Sequence, residues 1–203
     1  MRHTETVIFK TDWGWVGLAA VENGSGAGIC RVVLPSASKK TVQRVLEAHL
    51  RARAEAQDTR RENRGQDSDG NHLLRTASSS SVLRQAQTQV VEFVAGRRRE
   101  FDFPVDLSAG TPFQRRVWRV LDRIPYGRVR SYKWVAARVG GIRYARAVGL
   151  ALGANHVPIA IPCHRVVAHD GSVGGFTGGL AAKRKLLKLE GTLRQLRRGR
   201  RHS

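Results

Sequence analysis

The segment GTPFQRRVWRVLDRIPYGR, residues 110 to 128, constrains this chain more than any other, because it fixes where a helix begins and which side of it is buried. Thr111 has the oxygen needed to cap free backbone amides, Pro112 suits the first helical position, and Gln114 completes a capping box. Phe113, Val117, Leu121 and Ile124 then recur at helical spacing as the apolar side. After the IPYG turn, SYKWVAARVGGIRYARAVGLALGAN reads as helix, glycine turn, helix. Ser131 caps the first helix, Val135 and Val139 point inward, Gly140 and Gly141 make the turn, and the second helix carries Arg143 and Arg146. A basic second helix is the pattern of a helix-turn-helix. Taken alone, the segment fits an ordinary helical hairpin equally well.

The first half has a different period. Residues 6 to 9, residues 15 to 21 and ICRVVLP after the turn VENGSGAG read as short antiparallel strands joined by hairpins. Val42, Val45, Leu46, His49 and Leu50 predict an amphipathic helix over about residues 39 to 53. Apolar periodicity then stops, and residues 54 to 80 are expected to be a loop or flexible insertion. Helical spacing resumes at Val82, Leu83, Ala86, Val90, Phe93 and Val94, with Gly96 as terminator and EFDFPVDL leading out. The chain is therefore expected to be α+β in two domains, residues 1 to 105 and 106 to 192, followed by a basic tail, residues 193 to 203.

Charge and cysteine usage narrow the function. The 36 Lys and Arg against 16 Asp and Glu give a formal charge of +20, which points to a polyanionic partner or to solvated segments such as the tail LRQLRRGRRHS. The opening MRHTETVIFK has no apolar core of a secretory signal, and nowhere do eighteen apolar residues run together, so neither secretion nor membrane spanning is expected. Cys30 and Cys163 are the only cysteines, too few and too isolated for a zinc pattern, and free thiols are the more economical reading than a single bridge. No metal is expected, and Cys30 reads as a small core residue.

Cys163 stands in IPCHRVV, residues 161 to 167, directly before His164 and Arg165. A cysteine reacts as its thiolate, and a neighbouring cation or base promotes that form. Adjacent residues of a strand face opposite ways, so cooperation between Cys163 and His164 requires a bend, for which Pro162 is placed, or a bridging water. An isolated Cys-His pair is more often incidental than catalytic.

The surroundings weigh the other way. GTPFQRRVWRVLDRIPYGRVRSYKWVAARVG, followed by RAVGLALGANHVPIAIPCHRVVAHDGSVGGFTGGLAAKRKLLKLEGT, closely resembles the catalytic domain of the O6-alkylguanine-DNA alkyltransferases, or methylated-DNA–protein-cysteine methyltransferases. The resemblance covers about residues 108 to 192, with the PCHRV pentapeptide as its most specific part, and extends more loosely to TDWGWVGLAAVENGSGAGICRVVLP. It implies a small N-terminal antiparallel-sheet, ribonuclease-H-like domain and a mainly helical C-terminal domain with a helix-turn-helix. It also implies a DNA-repair protein that moves one alkyl group from O6 of guanine to Cys163, once per molecule and without a cofactor.

The resemblance assigns roles residue by residue. His164 would draw off the thiol proton through water, and Glu190 would orient the histidine. Tyr132 would donate a proton at the purine, and Asn155 would brace the cysteine. Arg146 would enter the minor groove and fill the gap left by a flipped base, beside the small residues Ala145, Ala147 and Gly149. Val166, Phe176, Thr177, Gly178 and Lys183 would line or support the alkylguanine pocket. Phe176 stands where several members have tyrosine, Tyr144 where a small residue is common, and His156 where proline is common. The implied partner is double-stranded DNA containing alkylated guanine, bound by a monomer in the cytoplasm, or the nucleus of a eukaryote. Two other readings stay open: a lesion-marking binding protein, whose relatives carry tryptophan in place of the acceptor cysteine, and a helix-turn-helix regulator.

Overall fold

In the computed structural model of the chain, the described residues are 4 to 23, 26 to 62, 78 to 194, and 196. The fold is α+β and divides into two compact units. The first comprises residues up to Val91 together with Asp102–Ala109; the second comprises Glu92–Phe101 and the chain from Gly110 onward. The boundary expected at residue 105 thus falls inside the first unit, because Asp102–Ala109 returns to it. The reason is backbone pairing: Ile29 donates to the carbonyl of Pro104 at 2.8 Å and accepts from Asp106 at 2.9 Å, so this segment extends the sheet edge.

Three antiparallel strands form the sheet of the first unit: β1 (Thr4–Thr11), β2 (Gly14–Asn23) and β3 (Gly26–Ser36). The expected hairpins are present, with Val7 opposite Leu18 and Leu18 opposite Val32. Helix α1 (Lys39–Glu62) covers one face, burying Val42 and Leu46 against Ala19, Val21 and Cys30. Each fully buried aliphatic side chain here contributes about 1.5–3 kcal/mol. Arg53 pairs with Asp106 at 2.5 Å, and burial of the carboxyl is outweighed by Ser108 and Arg53, which hold Asp106 below the usual carboxylate range.

Helix α1 runs nine residues beyond the end expected from apolar spacing, and α2 (Ser79–Val94) begins at Ser79. Residues 54 to 62 and 79 to 80 of the expected insertion are therefore helical, while 63 to 77 lie outside the described residues. RARAEAQDTRRE is rich in Ala, Arg, Glu and Gln, which favour helix without any apolar stripe. At the start of α2, the amide of Ser79 donates to Glu22 of β2 at 2.8 Å, so an anion meets the positive end of the helix. Val82, Leu83, Ala86, Val90, Phe93 and Val94 are all buried, and Gly96 at φ 75 closes the helix.

The second unit is mainly helical. In α3 (Pro112–Asp122) the capping box forms as expected, with Gln114 donating its amide to Thr111 at 3.2 Å and accepting the amide of Thr111 at 2.8 Å. Val117 and Leu121 are buried, together with Trp118, whose indole donates to the carbonyl of Ala151 at 2.8 Å. Strand β4 (Arg130–Ser131) leads into α4 (Tyr132–Val139), capped by Ser131 at 3.1 Å. Gly140 and Gly141, at φ 140 and 127, make a turn that other residues rarely adopt. A 3-10 turn (Ile142–Tyr144) then opens α5 (Ala145–Gly153), completing the helix-turn-helix. Strand β5 (Val166–Val167) pairs in parallel with β4, and α6 (Leu180–Leu189) ends before Gly191 at φ 74. Among the described residues, no helix is long and apolar enough to cross a membrane.

Candidate active site

Cys163 lies in a turn, not a strand. Pro162 at φ -81 and ψ 61 forms an inverse γ-turn in which the amide of Cys163 donates to the carbonyl of Ile161 at 2.8 Å. Cys163–Arg165 then makes one 3-10 turn before β5. The bend anticipated at Pro162 thus separates the three successive side chains around a helical axis instead of alternating them. Cys163, His164 and Arg165 are all buried.

Asn155 reaches the sulfur. Its Nδ2 donates to Cys163 Sγ at 3.1 Å and to the carbonyl of Ile161 at 2.9 Å, while its Oδ1 accepts from the amide of Val157 at 3.0 Å. Between them, Ile159 sits at φ 70, an unusual conformation for a β-branched residue, and is buried. Burial pushes the Cys163 thiol above its ordinary value, opposed by the Asn155 donor and by the charge of Lys183. Cys163 at rest is therefore a neutral thiol with thiolate-stabilising groups already aimed at it.

The carboxylate of Glu190, at the end of α6, is shared. His164 Nε2 lies 2.8 Å from Oε1. Arg165 donates through Nε to Oε2 at 3.0 Å and through Nη2 to Oε1 at 3.0 Å, and the amide of Gly127 donates to Oε2 at 3.1 Å. Burial alone would raise the Glu190 carboxyl, but His164 and Arg165 hold it below the usual carboxylate range. Burial pushes His164 below its usual value, against the pull of Glu190 and with help from Arg165 and Lys183, so the imidazole is neutral. His164 Nδ1 is buried and makes no protein hydrogen bond. Arg165, expected from sequence only as a cation beside the thiol, instead anchors Glu190 and donates to the carbonyl of Ile124 at 2.6 Å.

Lys183 is fully buried, and its ammonium donates to the carbonyls of Val166 at 2.6 Å and Gly175 at 3.1 Å. Burial lowers it to about 8, against the attraction of Cys163. Tyr132 is half-buried, and its hydroxyl donates to Gly175 at 3.4 Å. Burial and then the proximity of Cys163 raise it above its ordinary value, so it keeps its proton. Gly174 makes room for this ring: a Cβ there would meet Tyr132 at 3.2 Å.

Of the remaining expected pocket residues, Val166 is fully buried, Phe176 half-buried, and Thr177 and Gly178 exposed. The Thr177 hydroxyl donates to the carbonyl of Gly153 at 2.9 Å, so its proton is already committed to backbone. Arg146 is exposed on α5, with Ala145, Ala147 and Gly149 half-buried beside it and Val148, Ala151 and Leu152 facing inward. The two unusual residues nearby have packing roles. Tyr144 meets Phe113 at a ring separation of 6.0 Å, and His156 meets Trp118 edge-on at 6.2 Å.

Together these features define a class: a helix-turn-helix domain built around a buried cysteine, with a donor amide on the sulfur and a neutral histidine backed by a carboxylate. Residues 112–192 match the family model described as "6-O-methylguanine DNA methyltransferase, DNA binding domain". The chain is 50% identical over 105 residues to the methylated-DNA–protein-cysteine methyltransferase of Mycolicibacterium paratuberculosis, an alignment covering 52% of this chain and 63% of the relative. The like-named protein of Methanosarcina barkeri is 45% identical over 112 residues, covering 55% of this chain and 70% of that one. The solved structure of Mycobacterium tuberculosis OGT in complex with DNA covers 93% of both chains at 30% identity, with a TM-score of 0.62. The chain belongs to the methylated-DNA–protein-cysteine methyltransferase family.

Proposed function

We propose that this protein repairs DNA by moving an alkyl group from O6 of guanine to Cys163, once per molecule. The observation that carries the reading is the approach of Asn155 Nδ2 to Cys163 Sγ at 3.1 Å, beside the buried His164 and Glu190 pair. A donor on sulfur favours the thiolate, and a neutral imidazole with an unpartnered Nδ1 suits a base acting through one water. In the transfer, the S–C bond forms as the C–O6 bond breaks. The thiol proton passes by water to His164, held by Glu190, while Tyr132 delivers its phenolic proton to the purine, so neutral guanine leaves and the proton on His164 returns through water to the phenolate. The thioether has no second exit, and turnover ends there. Lys183 stabilises the developing charge and ties the Gly175 loop to Val166, and Phe176, Thr177 and Gly178 line the entrance.

The partner in this reading is double-stranded DNA carrying alkylated guanine, bound by a monomer in the cytoplasm or nucleus. The second unit, through residue 192, acts as the catalytic and DNA-binding domain, the first unit, which keeps Asp102–Ala109, as its companion, and 193 to 203 as a basic tail. The exposed Arg146, with small residues Ala145, Ala147 and Gly149 around it, fills the stack when the lesion is flipped out. A DNA-bound relative of similar fold supports the partner. Cysteine rather than tryptophan at 163 argues against a lesion-marking protein.

Incubation with duplex DNA containing O6-methylguanine should add one methyl mass to the peptide containing Cys163. An unmodified peptide after full incubation sinks the reading. Arg146→Ala should slow transfer from duplex by about tenfold or more yet leave transfer from free O6-benzylguanine unchanged, because only the duplex requires unstacking.

A further inference from the structure

Large hydrophobic side chains are seldom left out of the core of this molecule. Among the described residues, the exposed ones are Ile142 at 61%, Leu150 at 73% and Leu180 at 51%. Two of these three flank Arg146: Leu150 lies one turn beyond it in α5, on the same helix face, and Ile142 lies four residues before it, in the 3-10 turn that leads into the helix. Neither has a structural task that accounts for its exposure, since α5 packs through Val148, Ala151 and Leu152.

The surrounding charge says what such a strip can lie against. From Arg123 through His169 the chain contains no Asp or Glu, and it carries eight Arg and Lys in the same span. A second copy of a chain with formal charge +20 is repelled from this face. The groove of a duplex offers the matching chemistry, with phosphates on both rims and the C–H faces of deoxyribose along its walls.

We infer that Ile142, Arg146 and Leu150 form one contact strip, cationic at its centre and apolar at both ends, whose aliphatic ends pack against the sugar walls of the minor groove on either side of the flipped nucleotide. The inference rests on the DNA reading above and adds two residues that the family resemblance did not assign. The aliphatic ends hold the groove open by excluding water along it, and the arginine occupies the stack between them. Their contribution is apolar, so it adds affinity without releasing counterions.

The test uses the full chain with Leu150→Ser and Ile142→Ser, singly and together; both positions are exposed, so folding is not at stake. Binding to undamaged duplex is followed by anisotropy across a salt series, alongside single-turnover transfer from O6-methylguanine duplex and from free O6-benzylguanine. The double variant should bind duplex about tenfold more weakly, the size expected for returning parts of two aliphatic side chains to water. The slope of log affinity against log salt should stay unchanged, whereas Arg143→Ala should make it shallower by about one. Transfer from duplex should fall in step with binding, and transfer from the free base should not. Unchanged duplex binding in the double variant overturns the strip, even if Cys163 is alkylated normally. A wild type that binds duplex but never alkylates Cys163, with a double variant that loses affinity as described, upholds the strip and removes the repair reading instead.

Discussion

Cys30 and Cys163 are both free and both buried, one in each unit, and burial pushes both thiols upward. Their neighbours differ in the direction of the hydrogen bond. Cys30 donates its S–H to the carbonyl of Ala19 at 3.5 Å, among Ala19, Val21, Val42 and Leu46, and its pKa rises to about 11 although Arg53 is near, with Asp106 opposing it. Cys163 accepts from Asn155 and feels the ammonium of Lys183. Burial by itself makes a cysteine inert. What separates Cys163 from the packing thiol is a donor aimed at its sulfur and, in the next residue, a buried histidine backed by a carboxylate.

The sharpest way to break this contrast is to exchange the thiols for hydroxyls. Cys163→Ser should abolish mass addition while leaving duplex affinity within twofold, and Cys30→Ser should leave transfer intact; equal loss in both would mean that the two cysteines are not different in kind. Glu190→Gln comes next, because it leaves His164 without a counter-charge and Arg165 as an unpaired buried cation. We expect single-turnover transfer to fall by about 10²-fold, on the scale of general-base assistance, and denaturant midpoints to drop with a loss of roughly 3 kcal/mol or more. Asn155→Ala should slow transfer on free O6-benzylguanine as well as on duplex, by about tenfold or more, because the donor acts on the sulfur and not on DNA. A defect limited to duplex would remove that role.

A pH series sharpens the comparison further. Glu190 is held below its unfolded value of 4.5, so its contribution to stability is present above that value and disappears as pH falls through the folded one. His164 acts in the same sense, since its folded value lies below 6.5 and the unfolded state binds the proton more readily. The second unit should therefore lose stability progressively below about pH 6.5, and Glu190→Gln should flatten the lower part of that loss in urea midpoints measured from pH 7 to 4. The smallest effect belongs to Cys30→Ala, for which we expect about 1 kcal/mol of destabilisation and no change in transfer.

Local chemistry made most of the second unit legible. Thr111, Pro112 and Gln114 specify the start of α3, Ser131 the start of α4, and Gly140 with Gly141 the turn, each through interactions within four residues in sequence. The family resemblance around PCHRV and LEGT pointed to Cys163, His164 and Glu190, and the hydrogen bond between the last two spans 26 residues. Arg165 was harder to read, because its use depends on where Glu190 and the carbonyl of Ile124 arrive in space. Trp118 was missed for a related reason: it lies one residue off the apolar stripe and is buried through its indole contact with Ala151. The length of α1 escaped because apolar spacing detects packing, and residues 54 to 62 form helix by propensity without a stripe.

Ile159 stores backbone strain within the loop that carries Cys163. A branched side chain held at φ 70 costs about 1–3 kcal/mol relative to an ordinary conformation. The surrounding contacts, Asn155 to Ile161 and Val157 among them, keep it there. The nine-residue arc from Asn155 to Cys163 therefore behaves as a loaded spring clipped at both ends. Glycine at 159 would release that strain but also strip a buried side chain from the core, a loss of about 2–5 kcal/mol that outweighs it, so the protein would unfold more easily and the sulfur would drift from the Asn155 amide.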